Sequence, residues 1–249
     1  MIAGDTLAVR VARRRDEAED IAGFDLVRVD GQPLPTFAAG AHIDVVIAPE
    51  YQRAYSLAGD PADASRYVLG VLNERAGRGA SALMHRAFRE GRQVFIGKPL
   101  NHFPLQEQAT HTLLFAGGIG VTPLIAMAHR LHALGKPFAL HYSAAARHRA
   151  GFVDTLTAAP WHDRVQLHFK DEGRRAHLPS LVPPHTPGAH LYTCGAPRFM
   201  DSVFAAATER GWPVDALHRE YFSVPDTPAW VNHAFSLQLA RSGRTLQVP

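Results

Sequence analysis

From about residue 5 to 100 the apolar positions fall in short β-rich runs: TLAVRVARRR, IAGFDLVRV, AHIDVVIA, RAYSLAG, RYVLGVL and QVFIGKPL. Turn signals such as Asp30-Gly31 and Gly59-Asp60-Pro61 separate them, and one helical patch, SALMHRAF, interrupts the series. Short strands at that spacing predict a small β-barrel or sandwich. From about residue 110 strands alternate with helices. HTLLFAGG reads as a buried strand, after which Leu124, Ile125, Met127, Ala128, Leu131 and Leu134 follow helical spacing. Thr122 is suited to cap that helix, Pro123 to open it and Gly135 to stop it. FALHYSAA, RVQLHFK, HLYTCG and DALHREYF supply further strands, with GFVDTLTAAP and RFMDSVFAAATERG as helices between them. That alternation predicts a parallel α/β sheet. The end of the chain holds a Pro-bearing linker and one amphipathic strand-pair signal, FSLQLARSGRTLQV, too small to bury itself.

Composition narrows the function classes. With 46% hydrophobic and 20% charged residues over 249 positions, the chain is globular in character and comfortable for two domains. Its 26 Lys and Arg against 23 Asp and Glu leave a formal charge of +3 and no long basic run, which argues against nucleic acid. No apolar run reaches the roughly 18–20 residues of a membrane span. The opening MIAGDTLAVRVARRRDEAED is polar and acid-bearing, unlike a secretory leader, so no membrane is expected and the expected compartment is the cytoplasm. The single cysteine, Cys194, excludes a disulfide within these residues and any cysteine-held zinc or iron–sulfur centre built from them alone. Among 15 scattered histidines, His129 and His132 share a helix face without a third ligand, so a solvated face is expected there rather than a metal site.

The sharpest local signal is LLFAGGIGVTP, a buried strand running into Gly117, Gly118 and Gly120 and then a helix. Glycines there let backbone N–H groups approach a pyrophosphate, whose charge a helix N-terminus favours. The spacing is not G-x-G-x-x-G. Cys194-Gly195 closes another strand, and in a parallel sheet both turns fall at the ligand-binding carboxyl edge. Cys194 has no neighbouring base to activate it, so packing beside a ligand is expected over covalent chemistry. In the β region Arg53, Tyr55 and Leu57 alternate onto one face, a guanidinium for phosphate beside an aromatic for a planar ring. Gly77-Arg78-Gly79-Ala80-Ser81 precedes the helical patch and makes a second phosphate candidate. Each has a plain alternative: a tight turn, an exposed hairpin, an ordinary helix cap. Taken together they point to two nucleotides.

In order along the chain, RAYSL, GRGAS, LNHFPL, LLFAGGIGVTPL, YTCG and HREYF resemble the ferredoxin–NADP reductase superfamily. More narrowly they are similar to the phthalate dioxygenase reductase and vanillate demethylase reductase group, the reductase components of Rieske-type oxygenases. The resemblance implies an antiparallel FMN-binding β-barrel over 1–105 and a parallel-sheet NAD(P)-binding α/β domain over 106–223. Over 224–249 it implies a linker and the opening hairpin of a 2Fe–2S ferredoxin-like domain, whose cluster cysteines are absent from the sequence. By the same resemblance Arg53, Tyr55, Ser56 and Leu57 would hold the flavin ring and phosphate, and Gly79, Ala80 and Ser81 would complete the phosphate site. Leu72 and Asn73 would border the flavin, and Phe222 would cover its ring, with interdomain packing as the alternative. Gly117, Gly118, Gly120 and Thr122 would face the nicotinamide nucleotide, Thr122 near the flavin as well, with Cys194 and Gly195 beside the nicotinamide. Hydride transfer then needs positioning and no side-chain acid or base. The implied acceptors are an iron–sulfur domain or ferredoxin and, beyond it, a terminal Rieske-type oxygenase such as an aromatic dioxygenase or O-demethylase.

Two departures bear on the site. Cys194-Gly195-Ala196-Pro197 carries its proline one place later than the family's Cys-Gly-Pro. The segment Ser143 to Arg149 has no acid for a ribose 2′-hydroxyl, while Arg147 and Arg149 suit a 2′-phosphate. The resemblance thus expects NADH and the local chemistry admits NADPH. A free-standing flavin or ferric reductase and a non-catalytic nucleotide-binding module remain as alternatives. The strand-like tail argues against the first, and flavin bleaching by NADH would exclude the second.

Overall fold

The structure is a computed structural model that describes residues 6–48, 51–75, 79–222, 235–238 and 243–248. Gly77 and Arg78 of the second phosphate candidate, and the Pro-bearing linker, lie outside the described residues.

The first sheet contains β1 (Leu7–Ala18), β2 (Ile21–Arg28), β3 (His42–Ala48), β4 (Tyr51–Ser56), β5 (Tyr67–Leu72) and β6 (Gln93–Ile96), with helix α1 (Ala80–Ala87) before its last strand. The six strands lie in the order β4-β3-β6-β1-β2-β5, every pairing antiparallel. A bridge between Leu57 and Leu69 ties the end of β4 to β5, so the sheet closes into a barrel rather than splitting into a sandwich. Strand alternation sends Val9, Phe24, Ile43, Val45, Tyr67, Leu69 and Val71 inward, and α1 adds Met84 to the same core, with Phe88 just beyond its end.

The second sheet comprises β7 (His111–Gly117), β8 (Phe138–Ala144), β9 (Val165–Phe169), β10 (Ala189–Cys194) and β11 (Leu217–Glu220). Between them run α2 (Val121–Ala133), α3 (Val153–Ala158), α4 (Leu178–Leu181) and α5 (Pro197–Glu209). The strand order is β11-β10-β7-β8-β9 and all pairs are parallel. Leu114, Leu140 and Tyr142 pack with α2, α3 and Trp161 on one face, while Leu113, Phe115 and Leu191 pack with α5 on the other. Burial on both faces explains why these strands read as continuous apolar runs. The chain leaves β7 towards β8 and returns on the other side at β10, which makes the gap between β7 and β10 the switch point where such sheets bind ligands.

Helix α2 begins differently from the expected Thr122 cap. Gly118–Gly120 forms a 3₁₀ turn that runs directly into the helix at Val121, so Thr122 lies inside the first turn. Its hydroxyl donates back to the Ile119 carbonyl at 3.0 Å. Gly135 follows the helix at φ +63°, as its stop role requires. In FSLQLARSGRTLQV, β12 (Phe235–Gln238) and β13 (Thr245–Val248) pair antiparallel.

The outward side of β5 forms the seam between barrel and sheet. Val68 packs on the second sheet's core. A Cβ on Gly70 would meet the Phe152 ring at 2.5 Å and Thr122 Cγ2 at 2.7 Å, so this close approach depends on glycine. Nearby, the Glu19 N–H donates to the His148 carbonyl at 2.8 Å.

Candidate functional site

At the switch point the turns after β7 and β10 are in direct contact. A Cβ on Gly120 would come within 2.3 Å of the Cys194 carbonyl, and one on Gly195 within 2.9 Å of Gly117 Cα. Register in the parallel sheet sets Glu220, the last residue of β11, beside Cys194. From the barrel, the Ser56 hydroxyl at the end of β4 donates to Glu220 Oε2 at 3.3 Å. Ser56, Cys194 and Glu220 therefore converge from three strands of two sheets. Burial pushes the Glu220 carboxyl up to about 7, against the opposing Ser56 hydrogen bond. Burial, and then the Glu220 charge, raise the Cys194 thiol well above its ordinary value, so Cys194 stays protonated near neutral pH and suits packing rather than nucleophilic attack.

The barrel side gathers the phosphate candidates. Arg53 donates to the Gln52 carbonyl at 2.7 Å and lies over the Tyr51 ring, 5.8 Å from its centroid, with no carboxylate partner among the described residues. A Cβ on Gly79 would stand 3.8 Å from the Tyr51 hydroxyl, which brings the start of α1 to the same aromatic. Gly79 caps α1 at φ +89°, and no side chain caps the helix N–H groups, while Ala80 is buried. The Ser81 hydroxyl accepts the Glu74 N–H at 3.1 Å and anchors the segment after β5. There the Asn73 N–H donates to the Asp20 carbonyl at 2.7 Å, and Asn73 Oδ1 is buried without a hydrogen-bond partner. Burial raises the Tyr55 hydroxyl to about 12, leaving it neutral.

The remaining expected positions differ in exposure. Leu57 is fully buried in the barrel core, against which the half-buried Tyr55 packs. Leu72 is half-buried on the seam side of β5. Phe222 is 49% exposed, two residues past Glu220. On the sheet, Ser143 Oγ and Thr193 Oγ1 are buried without partners; Ser143 stands in register with Gly117, and Thr193 with Phe115. Arg147 is engaged by Glu172 through Nε at 2.7 Å and Nη2 at 3.4 Å. Sequence reasoning did not single out Tyr51, Glu220 or Glu172. Tyr51 and Glu220 lie two residues from Arg53 and Phe222, and the signal for Glu220 was a carboxylate at the carboxyl end of a strand. His129 accepts the Trp161 indole N–H at 3.4 Å, and among the described residues no group of three potential metal ligands forms. Among them, too, no helix is long and apolar enough to cross a membrane.

These residues fit a flavin phosphate and a dinucleotide pyrophosphate: an arginine with no carboxylate partner among the described residues, an uncapped helix start, and a glycine turn in register with the orphaned Ser143 hydroxyl, while the orphaned Asn73 oxygen can accept from a flavin hydroxyl or N–H.

No protein-family model matches the chain. It is 39% identical over 245 residues to the vanillate O-demethylase oxidoreductase of Pseudomonas sp. (strain HR199 / DSM 7063), covering 98% of this chain and 77% of that one. Against the phthalate dioxygenase reductase of Burkholderia cepacia it is 35% identical over 246 residues, 98% of this chain and 76% of the relative. A solved phthalate dioxygenase reductase, described as a modular structure for electron transfer from pyridine nucleotides to 2Fe–2S, matches with a TM-score of 0.83 at 34% identity, covering 98% of this chain and 76% of that chain. A closed antiparallel barrel, a parallel sheet with its switch point at β7 and β10, and identity of this order along nearly the whole sequence place the chain in the oxygenase reductase family that includes the vanillate demethylase and phthalate dioxygenase reductases.

Proposed function

We propose that this chain is the reductase component of a Rieske-type oxygenase system, taking electrons from NADH into FMN and passing them singly through a 2Fe–2S centre to the oxygenase. The observation that carries this reading is the meeting of Ser56 with Glu220 and Cys194. A ring held on the barrel and a ring delivered to the sheet's carboxyl edge would share that one space. When bound, the flavin supplies the exchange between a two-electron donor and one-electron acceptors. The chain's own residues position and shield. Arg53 and the start of α1 form a single phosphate cradle, which favours a mononucleotide flavin. Ser56 and Glu220 hold a hydrogen-bonded pair at the meeting point, and buried Cys194 excludes water beside it. Relatives at 35–42% identity are named for vanillate, phenoxybenzoate, tert-butanol and phthalate, which supports a substrate chosen by the oxygenase rather than by this chain.

Two measurements on the purified holoprotein test this. The flavin released on denaturation should have the mass of FMN, and NADH added without oxygen should bleach the visible flavin band. A flavin that responds to dithionite but stays oxidised with NADH would reject the reading.

A further inference from the structure

The loop after β8 lacks an acid, yet the fold supplies one from the next strand. The N–H groups of Lys170 and Asp171 donate to the carbonyls of Ala144 and Ala145, both at 3.2 Å, so the pairing of β9 with β8 continues beyond the carboxyl edge. This lays Glu172 beside Arg147, which it grips through Nε and Nη2. Glu172 Oε2, the oxygen that accepts from Nη2, also stands 4.0 Å from Arg174 Nη1. The Arg147 guanidinium also sits over the Phe169 ring, 4.6 Å from its centroid, so its orientation is fixed from two sides. Arg149, the second arginine of the loop, lies 4.0 Å from Glu19. Both cations suited to a 2′-phosphate therefore already face carboxylates.

We propose that Glu172, acting through Arg147, sets the coenzyme preference, admitting the 2′-hydroxyl of NADH and turning away the 2′-phosphate of NADPH. The proposal rests on the reading of this sheet edge as a dinucleotide site, where the residues at the end of the second strand reach the ribose. A phosphate placed on Arg147 must either displace Glu172 from the Nε–Nη2 edge or bind the Nη1 side of the same guanidinium, and in both cases it meets the repulsion of a carboxylate already there. A 2′-hydroxyl adds no charge and can donate to the carboxylate. Each exposed pair is weak by itself. The selectivity comes from comparing two ligands that differ by a whole phosphate at one point.

The test compares flavin reduction by NADH and by NADPH in the holoprotein and its variants. Glu172→Gln is expected to raise the NADPH-to-NADH ratio of kcat/KM by about tenfold, equivalent to about 1.4 kcal/mol, mostly through a lower KM for NADPH. Glu172→Asp should keep the wild-type ratio. Adding Arg147→Ala to Glu172→Gln should erase the gain, a result that a merely structural role for Glu172 does not produce. Flavin content and melting temperature report folding of each variant. A wild-type protein that uses both coenzymes equally, or a ratio unmoved in Glu172→Gln, overturns the assignment of Glu172 while leaving the dinucleotide site intact. A wild-type flavin reduced by neither coenzyme removes the dinucleotide reading and this proposal with it.

Discussion

Glu220 is a residue whose charge near neutral pH depends on where the fold puts it. Its carboxyl is held at about 7 against an ordinary 4.5, with burial as the main cause. The native state therefore binds this proton more tightly than the unfolded chain. The associated stability is full below about pH 4.5 and is lost as pH rises through about 7. Glu220→Gln removes the titration, so the variant should match wild type near pH 5 and exceed it near pH 8 by about 1–3 kcal/mol. Urea melts at the two pH values check this; an equal difference at both would show that the carboxyl titrates normally. Legibility at this scale followed chemistry more closely than position. Arg53 and Tyr55 were readable because a cation and an aromatic two apart on a strand share a face. Glu220 was not, because its neighbours Ser56 and Cys194 come from distant parts of the chain.

The turn from β7 into α2 shows how one glycine-rich element combines two different requirements. Gly118 has φ +54° with open space around its missing side chain, so it is glycine for its backbone conformation. Gly120 has φ −63°, acceptable to any residue, but a Cβ there would press into the Cys194 carbonyl at 2.3 Å. Gly118→Ala is expected to cost about 1 kcal/mol through strain alone. Gly120→Ala should cost about 3 kcal/mol and also weaken coenzyme binding, because the two turns at the switch point are forced apart. Denaturant melts with and without NADH separate the cases, and equal losses would contradict the contact with Cys194. The sequence displayed all three glycines and the strand–turn–helix around them. It could not say which glycine answers to backbone and which to a neighbour, since the neighbour belongs to β10. The misplaced cap has a similar origin. Thr122 has the composition of a cap, but the 3₁₀ turn at Gly118–Gly120 had already started the helix. Glu172 was missed because its partner Arg147 follows the neighbouring strand, 25 residues earlier in the chain.

At the scale of the whole molecule, the barrel and the sheet meet along a seam to which β5 contributes its outward side, beside the Ser56–Glu220 and Glu19–His148 contacts. The inward residues of β5, Tyr67, Leu69 and Val71, belong to the barrel core, while Val68 faces the other sheet. Gly70 lies on that same outward side, against Phe152 and Thr122. A valine at position 70 leaves the barrel core untouched and places branched carbon where the Phe152 ring now stands at 2.5 Å. Something must move, and the least constrained response is for the two sheets to separate at Ser56 and Glu220. Two-ring chemistry tolerates such displacement poorly, because its rate depends on a near-contact geometry. Gly70→Val should therefore retain bound flavin and its reduction by dithionite, yet lose at least about tenfold in the rate of reduction by NADH. Because the interface couples two separately cored units, its thermal melt should also broaden or divide into two transitions. Rapid mixing with NADH in the absence of oxygen, beside a calorimetric scan, measures both. Wild-type reduction kinetics in a folded, flavin-loaded Gly70→Val protein would mean that the seam does not set the distance between the two binding sites.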